Sequence, residues 1–312
     1  NDSLEHIAAW ASGERQAGVP EAASLRPLCS PAVSKPIRYV ELDRAAAERG
    51  EGGDAPLVLI QTGGNLGYAG GNNVGLRYAQ ARGDAAYVWL LNNDTVIDPR
   101  ALSAMVEVAE SDPRAGMVGS RLMYYSDPGR IQAIAGGTVV RWSGLTRHLG
   151  AEQTDLDRWS EVIEPDYVTG ASMLVRGALL ESVGLLDERY FLYSEEVDWC
   201  LRAREAGWRL LYAPGSTVWH KGGQSVQYSS PLHDYHTVRG MLLLVRRFYP
   251  ARLPLALMYS VYRCLAPKLV RLQYTRLKAV LRAYRDFFGE PEALPRFGTP
   301  GAAGGARSGR AA

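Results

Sequence analysis

Cysteine is scarce in this chain. Cys29, Cys200 and Cys264 stand far apart, are odd in number and form no CxxC spacing. That excludes a disulfide framework and a cysteine-based zinc site, and a reducing compartment is the simpler reading. Long apolar runs are missing too: no window reaches the roughly 18 uninterrupted apolar residues expected of a spanning helix. The first ten residues, NDSLEHIAAW, lack the basic-then-apolar layout of a signal peptide. Neither sign of charge dominates, with a net charge of +2 over 312 residues. The familiar nucleotide loops are absent as well. Glycines fall at 67, 70, 71 and 75, which is not GxGxxG, and no Gly-Lys-Ser/Thr follows them to make a Walker loop.

What is present is an apolar fraction of 46%, enough to bury one large core, and a regular alternation of strand-like and helix-like segments. Leu57–Gln61 (LVLIQ) and Tyr87–Leu91 (YVWLL) are short apolar runs of the kind that form strands covered on both faces. After the first comes a Gly/Asn-rich loop over 65–75 and a helix predicted over 76–81. A strand, such a loop and a helix together can offer backbone N–H groups to a phosphate, or can simply make a tight turn. After the second run comes Asn92-Asn93-Asp94-Thr95. Asn92 and Asp94 alternate with Asn93, so they point to one side as the strand finishes. Oxygen donors there suit a hard divalent cation, although such a triplet also makes a turn. Further strands are predicted over 116–124 and 166–176, with a hairpin-bearing insertion over 131–149 and a helix over Gly177–Val183. The class is α/β with a mostly parallel sheet.

Residues 190–220, YFLYSEEVDWCLRAREAGWRLLYAPGSTVWH, concentrate the chemistry. Glu195, Glu196 and Asp198 fall in the first turn of a helix running to about Ala206, with Ser194 as its N-cap. Residues 208–212 and 216–219 read as two short extended pieces divided by Pro214, with His220 at the end of the second. A first-turn cluster of acids is favoured by the helix dipole, by about 0.3–1 kcal/mol each, whether or not it has a function. Asp198 and Arg202 also have the i,i+4 spacing of an ordinary surface pair.

The ordered series NLGYAGGNNVGL, LLNNDT, VTGASMLVR, GLLDERYFLYSEEVDWCLRAREAGWRLLYAP and the terminal WH resembles the family 2 glycosyltransferases. Its character is closest to the bacterial rhamnosyltransferase-like branch that builds cell-surface polysaccharide. The resemblance spans about residues 65–223. It implies a GT-A fold, a dTDP- or UDP-sugar donor, Mg²⁺ or Mn²⁺, and inversion at the anomeric carbon. On it, Asn92-Asn93-Asp94 takes the place of the Asp-x-Asp motif, with Asp94 as metal ligand and Asn92 replacing the first Asp. His220 completes the metal site. Glu195-Glu196 corresponds to the Glu-Asp pair whose second member is the base, with Asp198 beside it, and Asn65, Gly67 and Asn72 match the donor-binding loop. Family members begin with a strand, a helix and a second strand ending in Asp-Asn/Asp-x-Ser. Here the sequence opens at Asn1-Asp2-Ser3, inside that last motif, so the first strand, first helix and most of the second strand are expected to be missing. The base-recognising Asp would precede residue 1 unless Asp2 itself serves, and the expectation is either a fragment or an incomplete donor pocket. A catalytically impaired nucleotide-sugar-binding or scaffold protein is the alternative reading.

The expected organisation is a glycosyltransferase domain over 1–230, a basic amphipathic helical arm over 231–290 and a disordered tail over 291–312. Residues 235–285 hold eleven Lys/Arg and no Asp or Glu. Mixed with apolar and aromatic residues, they suit helices lying on an anionic membrane surface, on the catalytic domain, or on the second subunit of a homo-oligomer. Their apolar load exceeds what a phosphate-tracking groove requires, so nucleic acid is not an expected partner. The resemblance adds a saccharide or lipid-linked acceptor and a peripheral place on the cytoplasmic face of the membrane.

Overall fold

A computed structural model describes residues 3–222 and 230–289. The readings that fall on Asp2 and on the tail beyond 290 lie outside the described residues. After helix α1 (Ser3–Ser12) comes a small parallel pair, β1 (Tyr39–Asp43) and β2 (Leu57–Gln61), joined through α2 (Arg44–Glu48). Helix α3 (Gly67–Arg82) packs on this pair through Val74, against Leu42 and Ala47. The expected start of α3 at residue 76 is nine residues late. Glycine lowers helix propensity, but tertiary bonds win here: Tyr68 N donates to Phe191 O at 2.9 Å, and Asn73 is buried in a bonded niche.

The main sheet has nine strands. They are β3 (Tyr87–Leu91), β4 (Thr95–Ile97), β5 (Ala115–Tyr124), β6 (Ile131–Ile134), β7 (Gly136–Val140), β8 (Leu145–His148), β9 (Tyr167–Val168), β10 (Ser172–Arg176) and β11 (Arg209–His220). Strand β5 is central. One edge is paired along its length by β11, the other by β10 on its first half and β6 on its second. The α/β class stands, but the sheet is mixed rather than mostly parallel: among the described residues only β1–β2 and β5–β11 run parallel. Parallel neighbours need long crossovers. Between β5 and β10 the chain instead folds back through β6, β7 and β8, and β10 enters antiparallel to both β3 and β5. The two extended pieces around Pro214 are one strand, β11. Its register breaks between Ala213 and Thr217, the irregularity at which a sheet tolerates proline.

Alternation sorts the two faces. Met117, Met173, Val175 and Leu210 point into the larger core. Val118, Leu174 and Leu211 point the other way, onto Met105 and Ala109 of α4 (Ala101–Ser111). The larger core also takes residues of α5 (Gly177–Val183), α6 (Glu195–Glu205) and α7 (Pro231–Phe248). Residues Val238 and 241–245 of α7 are buried in it, and so are Val280, Ala283 and Phe287 of the last helix. Between them lie α8 (Leu253–Ser260), a π-helical turn, and α9 (Ala266–Val270), and the last helix is α10 (Tyr274–Phe288). Part of the basic run serves packing: Arg276 and Lys268 both pair with buried Asp234, at 2.6 and 3.1 Å. No helix among the described residues is long and apolar enough to cross a membrane.

Candidate active site

Strand β3 hands its last amide bond to Asn92, whose N–H donates to Ala171 O at 3.1 Å. The chain turns through Asn93 and Asp94 into β4, which pairs with the end of β11 in the register His220↔Thr95. That register sets Asp94 Oδ1 3.2 Å from His220 Nε2, and Asn92 Nδ2 lies 3.2 Å from the same nitrogen. Asn93, between them, is exposed. The strand-exit alternation therefore brings Asn92 and Asp94 to one side, as the sequence pattern implies. The other ring nitrogen, Nδ1, is 2.8 Å from Gln132 Oε1 on β6, two strands away. Burial is the largest influence on His220 and lowers its pKa, against the raising effect of Asp94. With Nδ1–H donated to Gln132, the neutral ring turns the Nε2 lone pair toward a carboxylate oxygen. That lone pair has the Asn92 amide as a donor and the Asp94 oxygen beside it, a set that could also take a cation, and an orienting bond from the far ring nitrogen is what metal-binding histidines use. Among the described residues no cluster of three or more His, Cys, Asp or Glu side chains could hold a metal ion. A metal at this pair would draw its remaining oxygens from phosphates and water, the habit of Mg²⁺ in phosphate chemistry.

The acidic cluster sits at the entry to α6. Tyr193 and Ser194 both have left-handed backbone, with φ of 68° and 76°, a conformation costing non-glycine residues about 1–3 kcal/mol each. Ser194 stands at the N-cap but its side chain makes no capping bond, contrary to expectation. Such a bond needs an extended backbone at that position. Glycine is needed on the other side: a Cβ on Gly240 of α7 would lie 3.0 Å from both Ser194 Oγ and Tyr193 O. Glu195 is buried and Glu196 half-buried, and Oε2 of each is buried with no hydrogen-bond partner among the described residues. Burial raises the pKa of both; the charge of Glu196 adds to the rise at Glu195, and the amides of the helix start partly offset it at Glu196. Tyr68 stands close by. Burial, then the charges of Glu196 and Glu195, hold its hydroxyl well above the ordinary value, and that hydroxyl donates to Gly170 O at 2.6 Å. A side chain at Gly170 would collide with Tyr68, its Cβ 2.3 Å from the hydroxyl. Tyr68, Gly170-Ala171, Asn92 and the Asp94–His220 pair are thus linked in series by hydrogen bonds, and the charges of the glutamate pair act on Tyr68 at one end.

The other residues singled out in the sequence have local partners. Asn65 Oδ1 accepts from Gly67 N at 3.1 Å, and Asn72 Nδ2 donates to Tyr68 O at 2.9 Å. Gly67 has φ 70°, and a Cβ there would fall 2.1 Å from Phe191 O, so glycine is what lets α3 reach the 188–194 loop. Asp198 is not at the surface. It is fully buried, bonded by Arg202 Nε at 2.7 Å and by Arg247 Nη1 at 3.0 Å. Arg247 also reaches Asp187 at 3.3 Å, and Arg202 donates to the carbonyls of Val183 and Leu185. Four positioning residues escaped the sequence reading: Tyr68, Asn73, Gln132 and Arg247. Asn73 donates to Leu186 O and Glu188 Oε1 and accepts from Leu186 N, pinning the loop ahead of α6. Only Tyr68 and Asn73 lie inside a segment the motifs had flagged.

A family model described as "Glycosyltransferase like family 2" matches residues 44–232. The low-salt glycan biosynthesis hexosyltransferase Agl10 of Haloferax volcanii is 30% identical over 149 residues, covering 47% of this chain and 46% of that protein. The N-acetylglucosaminyl-diphospho-decaprenol L-rhamnosyltransferase of Mycobacterium tuberculosis is 29% identical over 194 residues, 54% of this chain and 59% of that one. The chain thus spans about half the length of the curated relatives it matches. A solved structure of GalNAc-T7 with UDP, GalNAc and Mn²⁺ matches with a TM-score of 0.47 at 14% identity, over 74% of this chain and 45% of that one.

Proposed function

This chain belongs to glycosyltransferase family 2, and on that premise we propose that it moves a sugar, rhamnose or another hexose, from a dTDP- or UDP-sugar to a saccharide or lipid-linked acceptor in cell-surface polysaccharide synthesis. The observation that carries the proposal is the continuity of two unlike half-sites. A carboxylate pair with no cationic partner among the described residues acts on Tyr68, whose hydroxyl bonds Gly170, and the neighbouring Ala171 bonds Asn92 beside the histidine–aspartate pair. An acceptor hydroxyl is too weak an acid to attack unaided and needs a base in the transition state. Glu196 takes that role: it is half-buried with one oxygen sequestered, and its raised pKa brings its proton affinity nearer to neutral pH. Glu195 raises the cost of leaving both carboxylates charged. Attack from the base side, opposite the leaving diphosphate, inverts the anomeric centre.

Asp94 and His220 would hold the divalent cation, Mg²⁺ or Mn²⁺, with Gln132 fixing the ring and Asn92 beside it. Bound there, such an ion neutralises charge gathered on a leaving diphosphate. On the same reading Asn65, Gly67, Asn72 and Asn93 are assigned to the donor. Lipid-linked acceptors call for a membrane surface, and the helices after α7 supply one. Met258, Tyr262 and Val270 are 70%, 73% and 81% exposed, beside exposed Leu255, Leu269, Leu272, Arg263 and Arg271. Large apolar side chains interspersed with arginine suit the headgroup region of an anionic leaflet, and we place the protein peripherally on the cytoplasmic face.

The test is thermal stabilisation by dTDP and UDP with Mn²⁺ or with EDTA. Ligand at about 100 times its Kd adds about 2.7 kcal/mol, and the increment should require the metal and vanish in Asp94→Ala. A variant that still responds to metal and nucleotide as the wild type does would show that the cation lies elsewhere.

A further inference from the structure

Helices α7 and α10 pack on each other, and beside their seam both line an open cavity of about 720 Å³, in the size range of small-molecule sites. The walls are two matching helical stripes. Leu232, Tyr235, His236 and Arg239 recur at i, i+3, i+4 and i+7 on α7; Thr275, Lys278, Ala279 and Arg282 do the same on α10. The 188–191 loop closes the cavity with Glu188, Arg189 and Phe191. Four cationic side chains, Arg189, Arg239, Lys278 and Arg282, therefore face one carboxylate, Glu188. That carboxylate is already bonded by Asn73 at 2.9 Å and by Arg77 at 3.0 Å. Arg189 is bound to Asp187 at 2.7 Å, and Arg282 lies 3.4 Å from Asp286. Lys278 makes no ion pair among the described residues and is exposed. The lining thus carries more basic than acidic side chains, and His236 adds no charge, since burial and then Arg239 push its pKa down to about 4.

Its place matters as much as its charge. Phe191 stacks on His236 with ring centroids 5.2 Å apart, while its carbonyl accepts from Tyr68 N. The same loop runs on through Tyr193 and Ser194 into Glu195-Glu196. At the far end, the first turn of α10 joins the cavity to exposed Leu272 and Tyr274. A basic-lined pocket is therefore closed by the loop that leads into the candidate base, and its α10 wall continues into outward apolar side chains.

We infer that this cavity binds the diphosphate of a lipid-linked saccharide acceptor, holding it so that the attached sugar meets Glu196 while the lipid leaves along the apolar surface of 255–274. The inference rests on the proposed transfer to a lipid-linked acceptor, and it assigns that acceptor a site. Guanidinium and ammonium groups make short charge-assisted bonds to phosphate oxygens, and the aromatic walls suit the neighbouring sugar. A diphosphate could also come from the nucleotide donor, so the experiment separates the two sources.

The probe is farnesyl diphosphate, a short isoprenyl diphosphate, titrated calorimetrically into the full chain below its micelle concentration. The wild type should bind it, farnesyl phosphate more weakly and farnesol not at all. The double variant Lys278→Glu/Arg282→Glu should lose affinity for it by about tenfold or more, while Mn²⁺-dependent stabilisation by dTDP or UDP stays as in the wild type. Lys278→Gln/Arg282→Gln, which changes charge without reversing it, should show a smaller loss and guards against misfolding of the first variant. Absence of binding, equal binding by wild type and both variants, or displacement by metal-free dTDP or UDP would each overturn the inference, the last because the pocket would then serve the nucleotide. The readout is binding, so the result does not depend on turnover. Transfer to an acceptor lacking diphosphate, together with no farnesyl diphosphate binding, would sink this site and leave the glycosyltransferase reading intact.

Discussion

Two groups of buried acids share helix α6 and the loop before it, and they are built in opposite ways. Asp198 and Asp187 are bonded to Arg202, Arg189 and Arg247, with distances from 2.7 to 3.3 Å. Glu195 and Glu196, two or three residues from Asp198, each hold a buried oxygen with no partner among the described residues. Burial raises the pKa of Asp198 and of both glutamates, but only at Asp198 do arginines pull it back. A fold selected for stability alone would give every buried carboxylate a cation, because an unpaired buried charge costs several kcal/mol. Within one turn of helix, the paired group holds the loop to the core and the unpaired group is the one proposed to react with substrate. The left-handed pair Tyr193-Ser194 sits between paired Asp187 and the unpaired glutamates.

The comparison breaks first in kinetics. Glu196→Gln keeps shape and hydrogen-bonding capacity but cannot accept a proton. Turnover should fall by roughly 10²–10⁴, the usual worth of a general base, with donor affinity and melting temperature nearly unchanged. Near-normal turnover in this variant with a dead Glu195→Gln would move the base by one residue. Asp198→Ala should break the other side of the comparison. Removing one partner of a buried ion pair typically costs about 3–5 kcal/mol, and here Arg202 and Arg247 both lose a contact. The loss should appear in urea midpoints, and in turnover only in proportion to the fraction unfolded. Wild-type stability in Asp198→Ala would mean that Asp187 alone suffices to hold Arg247.

Legibility of these features in the sequence follows the range of the interactions. Helix α6, strands β2 and β3, and the shared side of Asn92 and Asp94 come from periodicity within a few residues, and the structure keeps them. The start of α3 at Gly67 was hidden because its stabilising contacts, Tyr68 to Phe191 and Asn73 to Leu186, reach more than 100 residues along the chain. Sheet direction was hidden for a related reason: an apolar run covered on both faces looks the same whichever way its neighbour runs. The spacing of Asp198 and Arg202 was visible, but not their burial, which depends on α7 and its Arg247 arriving some 50 residues later. Gln132 gave no signal at all. It is a single polar residue in a strand, and its role exists only once β6 lies two strands from His220.

The smallest effect is the most specific to the comparison, and it concerns the sign of a pH dependence. In the native state the glutamate pair holds its proton more tightly than an unfolded chain, whose carboxyls titrate near the ordinary value of 4.5. Above that value, and up to the raised native one, the folded protein carries more bound protons, so its stability falls as pH rises. Glu195→Gln removes this burden. It should melt no higher than wild type below about pH 4.5, the ordinary glutamate value, and increasingly higher above it. The gain should level off once the native pair has titrated, at a few degrees, the scale on which about 1 kcal/mol reads out in a domain of 150–250 residues. The proton belongs to the pair, so Glu196→Gln should show a similar profile and the double variant less than the sum. The contrast with Asp198 is then a contrast of sign, since neutralising one group stabilises at pH 7 and removing the other destabilises. If Glu195→Gln instead lowers the melting temperature at neutral pH, Glu195 is held by a compensating interaction as Asp198 is. The division of this helix into a paired and an unpaired half would then be wrong.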